Sequence, residues 1–295
     1  MSKNIVLSLL LLVLLVPFIT LAAPRKKPVP PPPPQPPTPV ITPTTTPIMT
    51  IGAYTGDYAM WQSSFNTLQS QIGPLGSQMV FTGFGDDFPN TQYLCPSKIL
   101  FNYWENSGYS LDGIIAGSYD NLIRTYATAA KTYSCPVILS IFHEMNGEWM
   151  EWSGVVGNNS PAKVVSAWIR IRNIFTSVGA TNVKFAWVVN DESVPNTAMN
   201  QISNYYPGSA YVDIIGDDSF NFGGQTFAQV TTALPLLKSY GKPVWLSSIG
   251  TVAPQDQFMT DMLNVKGVSG ILYFNAGQFI LSASAANILK NYINP

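Results

Sequence analysis

Charge is scarce in this chain. Only 11% of its 295 residues are Asp, Glu, Lys or Arg, and no basic stripe forms outside the short cluster Arg25–Lys27. Without that electrostatic footprint, nucleic acid is excluded as a partner. Histidine is scarcer still, since His143 is the only one. A Ser-His-Asp triad would have to use it, and no GxSxG elbow accompanies it. The two cysteines, Cys95 and Cys135, form no CxxC or Cys/His cluster, so no metal centre and no cofactor are expected. In an exported protein they could pair, depending on their separation in the fold. No glycine-rich phosphate loop follows the first apolar strand, which argues against a dinucleotide fold.

What is present begins with a leader. Residues Ile5 to Leu21 are almost wholly apolar, follow Lys3 and end in Ala22 and Ala23. That order of charge, apolar run and small residues is the layout of a secretory signal, with Thr20 and Ala22 at the two small positions before cleavage. The same run, residues 5–21, reaches the lower length limit for a membrane tether. Residues 1–23 are therefore expected to be a signal peptide or anchor, and the protein secreted or held at the cell surface. Residues 24–47 are rich in Pro and Thr, including Pro30–Pro34, and should form an extended polyproline-II linker.

Residues 48–295 read as a single domain. With Lys3, Arg25, Lys26 and Lys27 set aside in the leader, 11 basic residues face 16 acidic ones. Eight short β-type runs are expected: Thr50–Tyr54, Gln78–Thr82, Lys98–Tyr103, Pro136–Phe142, Val183–Val189, Tyr211–Gly216, Pro243–Ser248 and Val268–Phe274. The run Val137–Phe142 is apolar without alternation, as expected of a parallel strand buried on both faces. Helical patterns fall between most of the strands: Met60–Ile72, Ser118–Tyr133, a helix opened by Ser160–Pro161 and closed by Gly179, Thr226–Tyr240, Pro254–Asn264 and Ile280–Tyr292. Residues Gly85 to Ser97 are irregular, so the second helix is short or replaced by a loop. The rhythm predicts an α/β fold, a closed (β/α)8 TIM barrel.

In such a barrel, side chains at the C-terminal ends of the strands converge on the active site. The fourth strand runs into His143-Glu144-Met145-Asn146-Gly147-Glu148-Trp149-Met150-Glu151-Trp152. A carboxyl among aromatic rings keeps its proton to high pH, which suits a general acid. Tryptophan faces suit sugar C–H groups, although a Trp also simply buries large area.

The segment HEMNGEWMEW resembles the strand-four signature of glycoside hydrolase family 26. GSYDNLIRTYATAAKTYSCPVIL, YYPGSAYVDIIGDDSFN and GKPVWLSSIGT are similar to the family's approach to strand four and to its strands six and seven. IGAYTGDY and MVFTGFGDDFP are similar to its first two strands. The resemblance covers most of Ile51 to Phe274. It implies a retaining β-glycanase that acts on mannan first, mixed-linkage glucan or xylan second, with a β-linked polysaccharide or oligosaccharide as partner. It also implies Glu144 as acid/base, with His143, Asn146, Trp149, Trp152, Trp187, Asp217, Phe220, Trp245 and Asn275 as candidate substrate contacts.

Four departures cluster around the expected nucleophile. Ser248 stands where the family has its nucleophilic glutamate, and Phe220 where it has a supporting tyrosine. Ser140 replaces an arginine, and Val189-Asn190-Asp191-Glu192 replaces Trp-x-Pro-Asn. A serine hydroxyl cannot replace a carboxylate in a retaining pair. Three readings follow: a silent glycan-binding relative, an active hydrolase using a relocated carboxylate (Asp217, Asp218, Asp191 or Glu192), and a structural or adhesive surface protein.

Overall fold

The computed structural model describes residues 49–56, 60–89 and 91–295. The leader and the Pro/Thr-rich linker lie outside the described residues. No helix among the described residues is long and apolar enough to cross a membrane.

Eight parallel strands close on themselves in chain order: β1 Thr50–Tyr54, β2 Ser77–Gly83, β3 Ile99–Glu105, β4 Val137–Ile141, β5 Val183–Asn190, β6 Ile214–Asn221, β7 Val244–Thr251 and β8 Gly270–Phe274. β1 closes the barrel against β8, with Ile51 beside Ile271. Around it run α1 Trp61–Ile72, α2 Leu111–Ala116, α3 Asp120–Thr132, α4 Pro161–Val178, α5 Leu234–Ser239, α6 Asp256–Leu263 and α7 Ala283–Ile293. This is the (β/α)8 barrel expected from the alternation.

Side-chain alternation sorts each strand into two cores. Met79, Phe101, Tyr103, Ile138, Ala186, Val188, Ile214, Trp245 and Leu272 fill the barrel, while a larger cluster lies between strands and helices. β4 is buried along its whole length, which explains a run that is apolar on both faces except at Ser140.

Helix ends follow local chemistry. The Ser160 side chain accepts from Lys163 N, Pro161 opens α4, and Gly179 closes it at φ 76°. The expected helix Thr226–Tyr240 is broken. Thr226 and Gln229 form a capping box on the short turn Phe227–Gln229, and α5 starts afresh at Leu234. α2 was not expected; Ser110 caps it at Gly113 and Gly117 ends it at φ 86°. Cys95 and Cys135 form a disulfide that ties the loop before β3 to the entry of β4.

The sixth strand starts later than its sequence pattern suggests and runs through Asp217 and Asp218 to Asn221. Two adjacent carboxylates read as a strand end in the sequence, yet both are buried within the strand.

Candidate active site

The site is built at the mouth of the barrel, where β4 turns into its loop. Phe142 and Glu144 adopt φ values of 53° and 51°, the left-handed region that side chains rarely enter. Each such residue costs about 1–2 kcal/mol and persists only where surrounding contacts over-determine it. Here those contacts are visible. Glu144 N donates to Val188 O at 3.1 Å, Gly147 N donates to Glu144 O at 2.8 Å, and Trp152 Nε1 donates to His143 O at 2.7 Å. Strained backbone on both sides of His143 aims the Glu144 carboxyl into a cavity of about 520 Å3.

Glu144 is half-buried and accepts from Trp149 Nε1 at 2.5 Å. Burial pushes its carboxyl up to about 7, against a smaller opposing effect of the Trp149 donor. Near neutral pH a large share of the molecules therefore carry a proton at Glu144, as a general acid requires.

Three further carboxyls line the cavity, those of Asp191, Glu192 and Asp218, the last on β6. Tyr103, reaching across from β3, donates its hydroxyl to Asp218 Oδ1 at 2.8 Å, and Ser247 Oγ donates to the same atom at 2.7 Å. Burial raises the Asp218 carboxyl well above its ordinary range, and the nearby Glu144 charge raises it further. A negative charge on either carboxyl therefore makes a charge on the other less favourable.

The strand-seven segment is irregular at its centre. A bulge lies in β7 between Leu246 and Ile249, and Asp218 pairs in register with Ser248. Ser248 is buried, but the hydroxyl that reaches the carboxyl pair is that of Ser247. Ser140, in register with Tyr103, is buried with its hydroxyl unpartnered, at the position where the resemblance expects an arginine. No positive side chain among the described residues forms an ion pair with Glu144 or Asp218.

The other expected contacts sort into two groups. Trp149 and Phe220 line the cavity, joined by Phe222, whose exposed ring lies 6.1 Å from Phe220 and 5.5 Å from Phe279. His143 sits just beneath, with its ring 4.9 Å from Tyr103 and 5.1 Å from Trp152. Burial lowers its pKa to about 3, so it stays neutral and its 3.9 Å approach to Glu105 is not an ion pair.

The remaining candidates do not reach the cavity. Asn146 stitches the loop to β5, donating to Asn190 O at 2.8 Å and accepting from Asn190 N at 2.9 Å. Trp152 is buried beneath the loop as a donor to His143 O. Trp187 points outward from β5 against Tyr206 and Tyr240, because the alternation that puts Val188 inside puts Trp187 outside. Trp245 lies within the barrel beside Phe101, where Gly270 leaves it room. Asn275 accepts from Leu281 N and so fixes the loop after β8.

Of the four relocated-carboxylate candidates, Asp217 belongs to the outer face of β6. It is fully buried, with both oxygens unpartnered. Asp191 is engaged by Thr232 Oγ1 at 2.8 Å and Ala233 N at 2.7 Å, a cap on the segment before α5. Glu192 is exposed at the rim. Tyr103, Ser247 and Phe222 were not anticipated. For Tyr103 the signal existed, since Phe101, Tyr103 and Glu105 alternate along β3 and the inner face of that strand ends at the mouth.

Comparison with known proteins agrees with this fold. The family described as glycosyl hydrolase family 26 matches residues 103–241. The chain is 32% identical over 167 residues to Endoglucanase H of Acetivibrio thermocellus, covering 52% of this chain and 18% of that protein. It is 34% identical over 90 residues to mannan endo-1,4-beta-mannosidase A and B of Caldalkalibacillus mannanilyticus, covering 29% of this chain and 16% of that protein. These alignments span less than a fifth of either relative's length. Among solved structures, Bacillus subtilis mannanase man26 superposes with a TM-score of 0.60 at 17% identity, covering 82% of this chain and 84% of that one. The GH26 domain of a Prevotella bryantii endo-beta-mannanase/endo-beta-glucanase gives 0.61 at 15% identity, covering 84% and 92%. The fold is a (β/α)8 barrel like that of these solved structures.

Proposed function

We propose that this barrel binds a β-linked polysaccharide across its mouth, with Glu144 as proton donor to the glycosidic oxygen and no nucleophile on β7. Mannan is the first substrate class, with mixed-linkage glucan or xylan second, as the names of the mannan- and glucan-directed relatives suggest. The observation that carries the reading is Glu144 itself: a carboxyl raised to about 7, set on strained backbone, beside Trp149. A structural carboxylate at a strand end needs none of these.

The aromatic rim supports a neutral sugar chain. Trp149 and Phe222 are exposed, and Phe220 joins them in lining the cavity. A pyranose ring presents C–H faces that pack on such rings, and no cation is needed for recognition. Retention of configuration needs two carboxyls about 5 Å apart, one of them nucleophilic. Ser247 and Ser248 supply hydroxyls and no carboxylate at the corresponding part of β7, and the Ser247 hydroxyl is taken up as a donor to Asp218 Oδ1. We further propose export to the outside of the cell, which the leader pattern and the Cys95–Cys135 disulfide both support.

Native gel electrophoresis through β-mannan, mixed-linkage β-glucan or xylan tests the binding claim. Wild type should be retarded by at least one polysaccharide, and Trp149→Ala should weaken that retention about tenfold through loss of one aromatic contact. Equal mobility of wild type with and without every polysaccharide would contradict the reading.

A further inference from the structure

We propose that Asp218 supplies the second carboxyl of an inverting hydrolysis, replacing the residue that β7 lacks. This rests on the polysaccharide-binding reading above and goes one step beyond it.

Four carboxylates could have taken over the role, and the fold disposes of three. Asp217 faces away from the cavity. Asp191 spends both oxygens on Thr232 and Ala233. Glu192 stands exposed at the rim, with no donor anchoring its carboxyl. Asp191, Glu192 and Asp218 all line the cavity with Glu144, and of the three Asp218 is the one anchored by side-chain hydroxyls through a single oxygen. Tyr103 and Ser247 both donate to Oδ1, and no donor among the described residues falls on Oδ2. One oxygen is therefore anchored and the other is free to take a proton. Tyr103 is fully buried and its hydroxyl is raised well above its ordinary value, so it remains a donor throughout the working pH range.

Small side chains on β7 complete the argument. Ser248, in register with Asp218, stands where the resemblance expects a glutamate, and neither it nor Ser247 offers a carboxylate that could bond covalently to the sugar. Inverting enzymes keep their two carboxyls roughly 6.5–9.5 Å apart to admit a water molecule.

The step balances as follows. Water oxygen bonds to the anomeric carbon on the face opposite the leaving group, as one of its protons passes to Asp218 Oδ2. The glycosidic C–O bond breaks, and its electron pair stays on the departing oxygen, which takes the proton from Glu144. One water is consumed, one glycosidic bond is lost and the anomeric configuration is inverted. Asp218 then returns its proton, and Glu144 regains one, through solvent.

The test follows the first-formed reducing end by proton NMR when wild type acts on manno-, mixed-linkage gluco- or xylo-oligosaccharides. The α-anomer is expected first from a β-linked substrate. Asp218→Asn, which keeps the side chain's shape, should lower the rate by at least about 100-fold, the lower range for loss of a general base. It should still be retained on a polysaccharide gel, which shows that it folds. A first-formed β-anomer would overturn the proposal. So would an Asp218→Asn rate within tenfold of wild type, or a wild type that binds polysaccharide but releases no sugar. Loss of binding in wild type itself would instead mark the failure of the reading beneath it, and the proposal would fall with it.

Discussion

Replacing Glu144 by glutamine is expected to lower sugar release about a thousandfold while leaving retention on a polysaccharide gel unchanged. The magnitude is that of removing a positioned general acid, typically 10²–10⁴-fold. Glutamine keeps the shape and can still accept from Trp149 Nε1, so the loop that holds Trp149 should stay in place. What is lost is the proton. The pH profile of wild type gives the same point a sign. A general acid must be protonated, and Glu144 is raised to about 7, so turnover should fall as pH rises above about 7. A Glu144→Gln variant with near-native rate would remove Glu144 from the chemistry. A variant that no longer bound polysaccharide would make it a structural residue.

The second large effect is on stability and comes from Asp217, which plays no part in the chemistry. Its carboxyl is fully buried on the outer face of β6, with neither oxygen partnered. Burial, and then the charge of Asp191, raise it well above its ordinary 3.8. In the unfolded chain this group releases its proton near 3.8, while in the folded chain it keeps it. The folded state thus binds more protons between those two values, and stability falls as pH rises through that window. The slope is about 1.4 kcal/mol per pH unit for one group. Asp217→Asn has nothing to titrate. Denaturant unfolding should find it close to wild type at pH 4 and more stable at pH 7, with the gap widening as pH rises between them. Glu144 and Asp218, raised by the same cause, leave some of the same slope in the variant. Parallel curves for the two proteins, with the variant weaker throughout, would mean that Asp217 has a partner that asparagine cannot serve.

The barrel was legible because its strands carry one kind of signal. Val137–Ile141 is apolar on both faces except at Ser140, and a strand sandwiched between a filled barrel and a helix layer needs that pattern. The α4 boundaries were equally legible, because Ser160, Pro161 and Gly179 each act through their own backbone neighbourhood. β6 was placed too early because charge inside a strand reads as the end of one. Asp218 can sit there only because Tyr103, 115 residues away in sequence, and Ser247, 29 away, donate to it. No local pattern contains that information.

The site divided along the same line. Glu144 and Trp149 lie in one short segment, so their meeting could be read from spacing. Trp187 and Trp245 are expected at the site by residue type, but Trp187 points out of the barrel and Trp245 lies inside it near the start of β7 rather than at the mouth. Counting alternation back from Val188 would have put Trp187 on the outer face. The bulge in β7 could not be counted in this way, since it shifts the register at the serines themselves and brings Ser247 rather than Ser248 to the carboxyl pair.

The central claim is that this site keeps its proton donor and has no nucleophile on β7. Incubation with activated 2-deoxy-2-fluoro-β-glycosides of manno- and gluco-configuration, followed by intact mass measurement, tests it most directly. The account predicts wild type of unchanged mass, with Ser248→Glu as the variant able to accumulate a glycosyl adduct. An adduct on wild type, mapped to Ser247, Ser248 or a neighbour on β7, would contradict the account.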